Sequence, residues 1–359
     1  MIKYVVNRIL LAILMLFGVS VILYSLVRVM PVNYIEQKYY STHQNVEVDS
    51  EELKQLMLDY NVEDLAEVKA QGRSELWDKV FRNGKPATDK DGNVKTSSPF
   101  IAATKSVVAG YWSWMTKFIR GDFGKSFKYN RPVEDVISQY MGTSFAISLI
   151  SLVLELLIAI PLGVKSACNQ YGKLDYITTV LTMIGISFPS FFFGSLVIKI
   201  FAVELGWFPV GGMGSSEIFD RMWHLVLPIA VLTILSVGSM MRYTRTNTLE
   251  VLNADYIRTA RAKGLSEHTV IYKHVFRNTL IPLVTTLAGI IPSLFGGAMI
   301  TETIFDIQGI GNIAYQAMSE GDIPFIMAYN MFIAALTVIG ILLTDLMYAV
   351  VDPRVKLGK

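Results

Sequence analysis

Charge and cysteine are what this sequence has least of. Only 17% of its 359 residues are charged, against 52% hydrophobic, which is a membrane pattern and not that of a soluble domain. The single cysteine, Cys168, excludes an internal disulfide framework and a multi-cysteine metal site. It reads as a packing residue near a helix end. A net charge of +2 lacks the basic excess that nucleic-acid binding requires. The four histidines, His43, His224, His268 and His274, are scattered. No His-Glu-x-x-His pair, Ser/His/Asp grouping or Rossmann fingerprint is present, so covalent chemistry by this chain has nothing to start from.

What is present is a series of long apolar runs. Lys3 and Arg8 precede an uncharged stretch, 9–27, that is too long for the core of a signal peptide and lacks a small-residue cleavage pattern. It fits the ~20 residues needed to cross the hydrocarbon core. The expected spans are about 9–30, 143–164, 177–203, 225–241, 279–300 and 323–350. Each must be helical, because lipid offers no hydrogen-bond partner to an open sheet or loop. Residues 32 to about 105 break the pattern with charges of both signs, too polar to enter a bilayer. Ser50 can cap a helix beginning at Glu51, and Asn83-Gly84 and Asp91-Gly92 suggest a small hairpin. Tyr111 to Ile119, with Trp112 and Trp114, has interfacial character.

The basic residues set the orientation. Seven Lys/Arg against three acids lie in 242–277, further basic residues in 165–173 and at both termini, while 301–322 holds four acids and no Lys/Arg. By the positive-inside rule the termini and the basic loop face the cytoplasm, and the 32–106 insertion and the acidic loop lie outside. The expected layout is an N-terminal membrane helix over 1–31, an extracytoplasmic insertion over 32–106, an interfacial connector over 107–142 and a membrane core over 143–359 carrying the loop 242–278.

Two short motifs read as turns. Gly121-Asp-Phe-Gly-Lys-Ser126 resembles the end of a phosphate loop, but Ile119 stands where that loop needs its first glycine. Asp89-Lys-Asp91-Gly92 is an incomplete calcium loop. Glu155 and Asp345 are ionisable groups at or near membrane depth, either walls of a translocation path or structural hydrogen-bond partners. Gly185 and Pro189 interrupt the third span, as a hinge or as a tolerated kink. Phe188, Pro189 and Phe192 beside that interruption join Glu155 as path candidates, although these phenylalanines and Phe191 are equally suited to packing helices.

The basic loop is the most specific feature. Leu249, Leu252, Tyr256 and Ala260 recur at helical spacing, with Arg258, Arg261 and Lys263 elsewhere on the surface. Gly264 is placed to end the first helix in a left-handed conformation, and Ser266 to cap a second. Such a loop either grips a partner as a rigid lever or merely solvates a membrane face.

These residues resemble the permease subunits of binding-protein-dependent ABC importers. Gly264 fits the glycine of that family's cytoplasmic "EAA" loop, although of the three positions that give the loop its name, Arg258, Thr259 and Ala260, only Ala260 matches. The run from Asp255 to Ser266 followed by His274-Val-Phe-Arg-Asn-Thr-Leu-Ile-Pro282 is similar to the peptide/nickel branch, and within it to the B-type subunit of oligopeptide and dipeptide permeases. Residues 121–126 with Arg131-Pro-Val133, Phe305-Asp-Ile-Gln-Gly-Ile-Gly311 and Asp352-Pro-Arg354 resemble further segments of that branch. Met30-Pro-Val-Asn33 departs from its usual Pro-Gly-Asp-Pro, and about 64–105 looks inserted.

The resemblance implies an all-α integral membrane protein with the six transmembrane helices of the type I ABC importer permease fold. It implies half of a peptide-import pore in a prokaryotic cell membrane, completed by a second permease. Two cytoplasmic ATPases would hold ATP and Mg, an external protein would deliver the peptide, and this chain would bind no cofactor and be no enzyme. The coupling residues it implies are Asp255, Tyr256, Arg258, Thr259, Ala260, Arg261, Lys263, Gly264, Leu265 and Ser266. A nickel permease is the alternative within the family. An ion-coupled secondary transporter and a non-transporting membrane scaffold are the alternatives outside it.

Overall fold

A computed structural model describes residues 2–29, 50–89 and 93–351. The 30–33 departure, His43, the Asp91-Gly92 turn and the Asp352-Pro-Arg354 tail lie outside the described residues. Among those residues the regular structure is helical, apart from two isolated antiparallel bridges, Thr88 with Val94 and Lys125 with Pro132.

Four helices are long and apolar enough to cross a membrane: Val6–Arg28, Val133–Cys168, Ile218–Leu252 and Ile323–Met347. Two bent pairs, Lys173–Ser187 with Ser190–Glu204 and Glu267–Leu287 with Gly289–Ile304, raise the number to six when each pair counts as one span. The first break has a local cause. A residue before proline is driven out of the helical region, and Phe188 is extended at φ −80°, ψ 124° ahead of Pro189. Pro161 and Pro228 sit inside helices that continue past them. Gly297, at φ 73°, ends the Phe276–Gly296 helix.

The helices outrun the apolar runs that identify them. Val133–Cys168 and Ile218–Leu252 hold 36 and 35 residues, about 54 and 52 Å at 1.5 Å per residue, against a hydrocarbon core of ~30 Å. The expected boundary at 142/143 therefore falls within a continuous helix. The one at 106/107 does too, because Pro99, well suited to a first turn, opens a helix running to Ile119.

The chain divides into two compact units, one of residues 1–13, 138–316 and 333–359, the other of residues 14–137 and 317–332. In the first, Ile147, Val197, Leu227, Val231, Phe305 and Ile307 form a buried cluster. Close helix approach elsewhere in this unit depends on glycine. A Cβ on Gly163 would lie 2.8 Å from the Met241 carbonyl oxygen and from Thr244 Cβ, and one on Gly238 would lie 3.2 Å from the Thr182 carbonyl oxygen. Arg8 pairs with Asp345 at 2.9 Å, which gives the Asp345 carboxylate a structural partner.

In the second unit the polar insertion folds by capping. Asp64 accepts from Ala66 N at 2.7 Å to start Leu65–Gln71, Gly72 ends that helix at φ 64°, and Ser74 caps Glu75–Phe81 through Trp77 N. Buried Glu63 accepts from Ser74 Oγ at 2.6 Å and Leu76 N at 2.8 Å. Asn83-Gly84 proves to be the exit of Glu75–Phe81 and not a hairpin turn, since Gly84 N donates back to the Asp78 carbonyl. Beyond it lies the Thr88–Val94 bridge, where Asp89 N donates to the Asn93 carbonyl at 2.9 Å and Lys95 N to that of Ala87 at 2.7 Å.

Gly163→Val should destabilise the protein by about 1–3 kcal/mol through overpacking. Gly18→Val, where nothing lies within 4 Å of the added Cβ, should leave stability unchanged. Thermal unfolding of the detergent-purified protein checks both.

Candidate functional site

The basic loop begins where Ile218–Leu252 stops. Asn253 closes that helix, Ala254 is extended at φ −71°, ψ 144°, and a new helix runs over Asp255–Ala262. This break corrects the expected stripe of Leu249, Leu252, Tyr256 and Ala260. An extended residue between two helices resets the helical phase, so Tyr256 is exposed and Ile257 takes the buried position. Ile257 and Ala260 pack with Val270 and Val275, and Val251 and Leu252 lie against them.

The turn forms as its residue types dictate. Gly264 adopts φ +78°, and its N–H donates to the Arg261 carbonyl at 2.9 Å. Ser266 Oγ accepts from Thr269 N and starts the return helix, which continues through a π-helical stretch, Val270–Val275, into Phe276–Gly296. Arg261 reaches across the turn and forks onto Glu267, with Nη2 donating to Oε1 at 2.6 Å and Nε to Oε2 at 3.2 Å. That hydrogen bond holds the Arg261 pKa above its ordinary value.

Nine of the ten expected coupling residues are exposed together: Asp255, Tyr256, Arg258, Thr259, Arg261, Lys263, Gly264, Leu265 and Ser266. Ala260 is the exception. It is buried and anchors the helix from beneath. Arg258 and Asp255 pair at 3.6 Å across one helical turn. The loop thus presents a short, basic helix with Ile257 and Ala260 facing inward and its polar side chains facing out.

The path candidates do not form one group. Glu155 is buried on the Val133–Cys168 helix, with no hydrogen-bond or ion-pair partner among the described residues. Phe188 and Phe192 are exposed and stack face to face, 5.9 Å between centroids and 3° between planes. Phe188 lines an apolar cleft of about 320 Å³ with Ile158, Leu162, Gly185 and Phe193, whereas Glu155, Pro189 and Phe192 do not line it.

Sequence reasoning missed two carboxylates in the acidic loop. Glu302 is 1% exposed and organises the segment around Gly297 and Gly311. It accepts from Ser144 Oγ at 2.7 Å, Ala298 N at 3.0 Å and Asn312 N at 3.0 Å. Ser144 Oγ in turn accepts from Ile310 N at 2.8 Å. The signal was the density of glycine there. A Cβ on Gly311 would lie 2.9 Å from Glu302 Oε2, and one on Gly297 2.6 Å from Gly311 N. Asp322, in the other unit, accepts from Ser126 Oγ, from Phe127 N at 3.0 Å and from Lys128 N at 3.2 Å. The 121–126 motif is therefore a turn held by a distant carboxylate, with Gly121 and Gly124 at φ 83° and 82°. Burial raises the nearby Tyr60 hydroxyl above its ordinary pKa, and the Asp322 and Asp59 carboxylates add to the shift.

The comparisons with known proteins agree with this architecture. Residues 159–357, more than half of the chain, match the family model described as binding-protein-dependent transport system inner membrane component. The chain belongs to this family. It is a multi-pass membrane protein and a permease subunit. It is 42% identical over 251 residues to the oligopeptide transport system permease protein AppB of Bacillus subtilis, covering 68% of this chain and 79% of that protein. It is 38% identical to a putative peptide permease protein of Brucella suis over 251 residues, 68% and 79% of the two chains. It is 34% identical to the dipeptide transport system permease protein DppB of Alkalihalophilus pseudofirmus over 268 residues, 68% and 80%.

Glu302→Gln should cost about 1–3 kcal/mol, because an amide NH₂ would replace one acceptor facing a buried N–H. A lowered melting temperature of the purified protein checks this. An unchanged value would show that the Ala298 and Asn312 N–H groups find other acceptors.

Proposed function

We propose that this chain is one half of a heterodimeric pore that imports short peptides across a prokaryotic cell membrane, driven by ATP hydrolysis in separate subunits. The reading is supported above all by its relatives, whose names as oligopeptide, dipeptide and peptide permeases recur over two thirds of the chain. The termini and the basic loop lie in the cytoplasm, and the insertion and the acidic loop lie outside. A second permease completes the path. Two ATPases hold the ATP and Mg, one of them receives the Asp255–Ala262 helix in a groove, and an external binding protein delivers the peptide.

The loop suits this task mechanically. It is exposed, so a partner can grip it, and its buried face is anchored by Ile257 and Ala260. A load on the helix then passes to Val270 and Val275 and onward into the membrane helix they precede. ATP and peptide must favour different conformations of the assembly, since a ligand binding both equally shifts nothing.

Gly264→Pro should abolish uptake while the protein still reaches the membrane, because proline cannot adopt φ +78°. Gly264→Asn, which tolerates that region, should retain most of it. No neighbour lies within 4 Å of an added Cβ, so the two variants separate backbone conformation from steric fit. Uptake of a radiolabelled tripeptide by whole cells, with immunodetection of the chain in membranes, is the measurement. Normal uptake with proline would overturn the coupling role of this loop.

A further inference from the structure

Asp175 is a nearly buried carboxylate, 5% exposed, for which peptide passage and partner docking provide no explanation. It gathers four donors. Arg245 approaches as a fork, Nε at 2.6 Å from Oδ1 and Nη2 at 2.9 Å from Oδ2. Tyr171 N donates to Oδ2 at 3.0 Å, and the fully buried Ser166 donates its Oγ proton to Oδ1. Thr178 Oγ1 donates to Ser166 Oγ at 3.3 Å and so extends the network into the next turn.

The side chains of this network come from three helices, and Tyr171 from the turn between two of them. Ser166 lies in the last turn of Val133–Cys168, Asp175 in the first turn of Lys173–Ser187, and Arg245 two turns before Ile218–Leu252 ends at the basic loop. Close by, Gly163 leaves room for only bare backbone against Met241 and Thr244. The ends of the three helices nearest the basic loop are thus tied by an ionic fork and by backbone contact. The opposite end of Lys173–Ser187 is different. It stops at the extended Phe188 beside the apolar cleft that Gly185 and Phe188 line. One end is clamped, and the other opens onto a helix break.

We infer that the Asp175–Arg245 fork is the link through which displacement of the basic loop is delivered to the broken third span, with the Phe188–Pro189 break as the point where that helix swings. Asp175 and Arg245 are positioning residues: neither needs to touch peptide or nucleotide. A bidentate guanidinium–carboxylate pair suits the role, because its two parallel hydrogen bonds resist rotation as well as separation. A lysine would supply the charge at a single point and leave rotation free.

This inference rests on the transport reading proposed above, and the test separates the two. The full transporter, this chain with its permease, ATPase and binding-protein partners, is reconstituted in proteoliposomes. ATP hydrolysis and uptake of a radiolabelled tripeptide are measured together for the unmodified chain, Asp175→Asn and Arg245→Lys. No ATP-dependent uptake by the unmodified transporter would overturn the transport reading itself. With that uptake present, both variants should co-purify with their partners and hydrolyse ATP, while peptide moved per ATP falls about tenfold, a change within the span of ordinary coupling free energies. If peptide moved per ATP is unchanged, or if both activities fall in proportion, the fork is only a structural brace and the inference is overturned. Should Asp175→Asn fail to assemble, Arg245→Lys, which keeps the charge and loses only the fork, decides the matter by the same ratio.

Discussion

Hydrocarbon offers a backbone amide nothing to bond to. A helix interrupted at membrane depth must therefore find its donors and acceptors within the protein, and at several bends beyond the expected spans this chain also supplies partners from its own groups. Beyond the Gly297 break, Glu302 takes up Ala298 N and Asn312 N, and Ser144 takes up Ile310 N. Where the Lys165–Lys173 segment turns, Asp175 takes up Tyr171 N. Where the basic loop turns, the Arg261 carbonyl takes up the Gly264 N–H and Ser266 starts the next helix. Two of the buried carboxylates of the first compact unit, Asp175 and Glu302, sit at its bends. Along the straight runs the backbone satisfies itself and the side chains need only be apolar or small.

That rule also decides what could be read in advance. The membrane helices were legible because apolarity over about twenty residues is a property of the local sequence. So were the turn at Gly264 and the cap at Ser266, whose determinants lie within a few residues of each other. Helix ends were not, because a helix leaving the bilayer changes its solvent and not its conformation: hydropathy falls at 164 while the helix continues to Cys168. The stripe through Leu249, Leu252, Tyr256 and Ala260 failed for another reason. Its spacing assumes one uninterrupted helix, and the extended Ala254 moves the buried face onto Ile257.

The carboxylates show where local reasoning stops. Glu302 and Asp322 were legible only as negative charge in a loop, which served to orient the chain. Their partners, Ser144 and Ser126, lie 158 and 196 residues away. No spacing rule connects such pairs, and only the neighbouring glycines hint that the backbone approaches something closely. Family resemblance covered the neighbouring segments 121–126 and 305–311, but the physical reason for Gly309 is the Glu302 carboxylate that a Cβ would strike, and for Gly311 the Met299 backbone together with that carboxylate.

The π-helical stretch between the basic loop and its membrane helix has a geometric consequence of its own. There the Phe276 N–H reaches back five residues, to the Ile271 carbonyl, in place of the usual four. A wide turn of this kind absorbs one extra residue without leaving a donor unpaired. It also rotates everything on its far side by about 100°, the angle of a single α-helical residue. The compass bearing of the exposed Asp255–Ala262 helix around the axis of the helix that follows is therefore a matter of one residue's register. The chain carries that residue in a segment whose hydrogen bonding would survive its deletion, so the loop could be re-aimed without being unfolded.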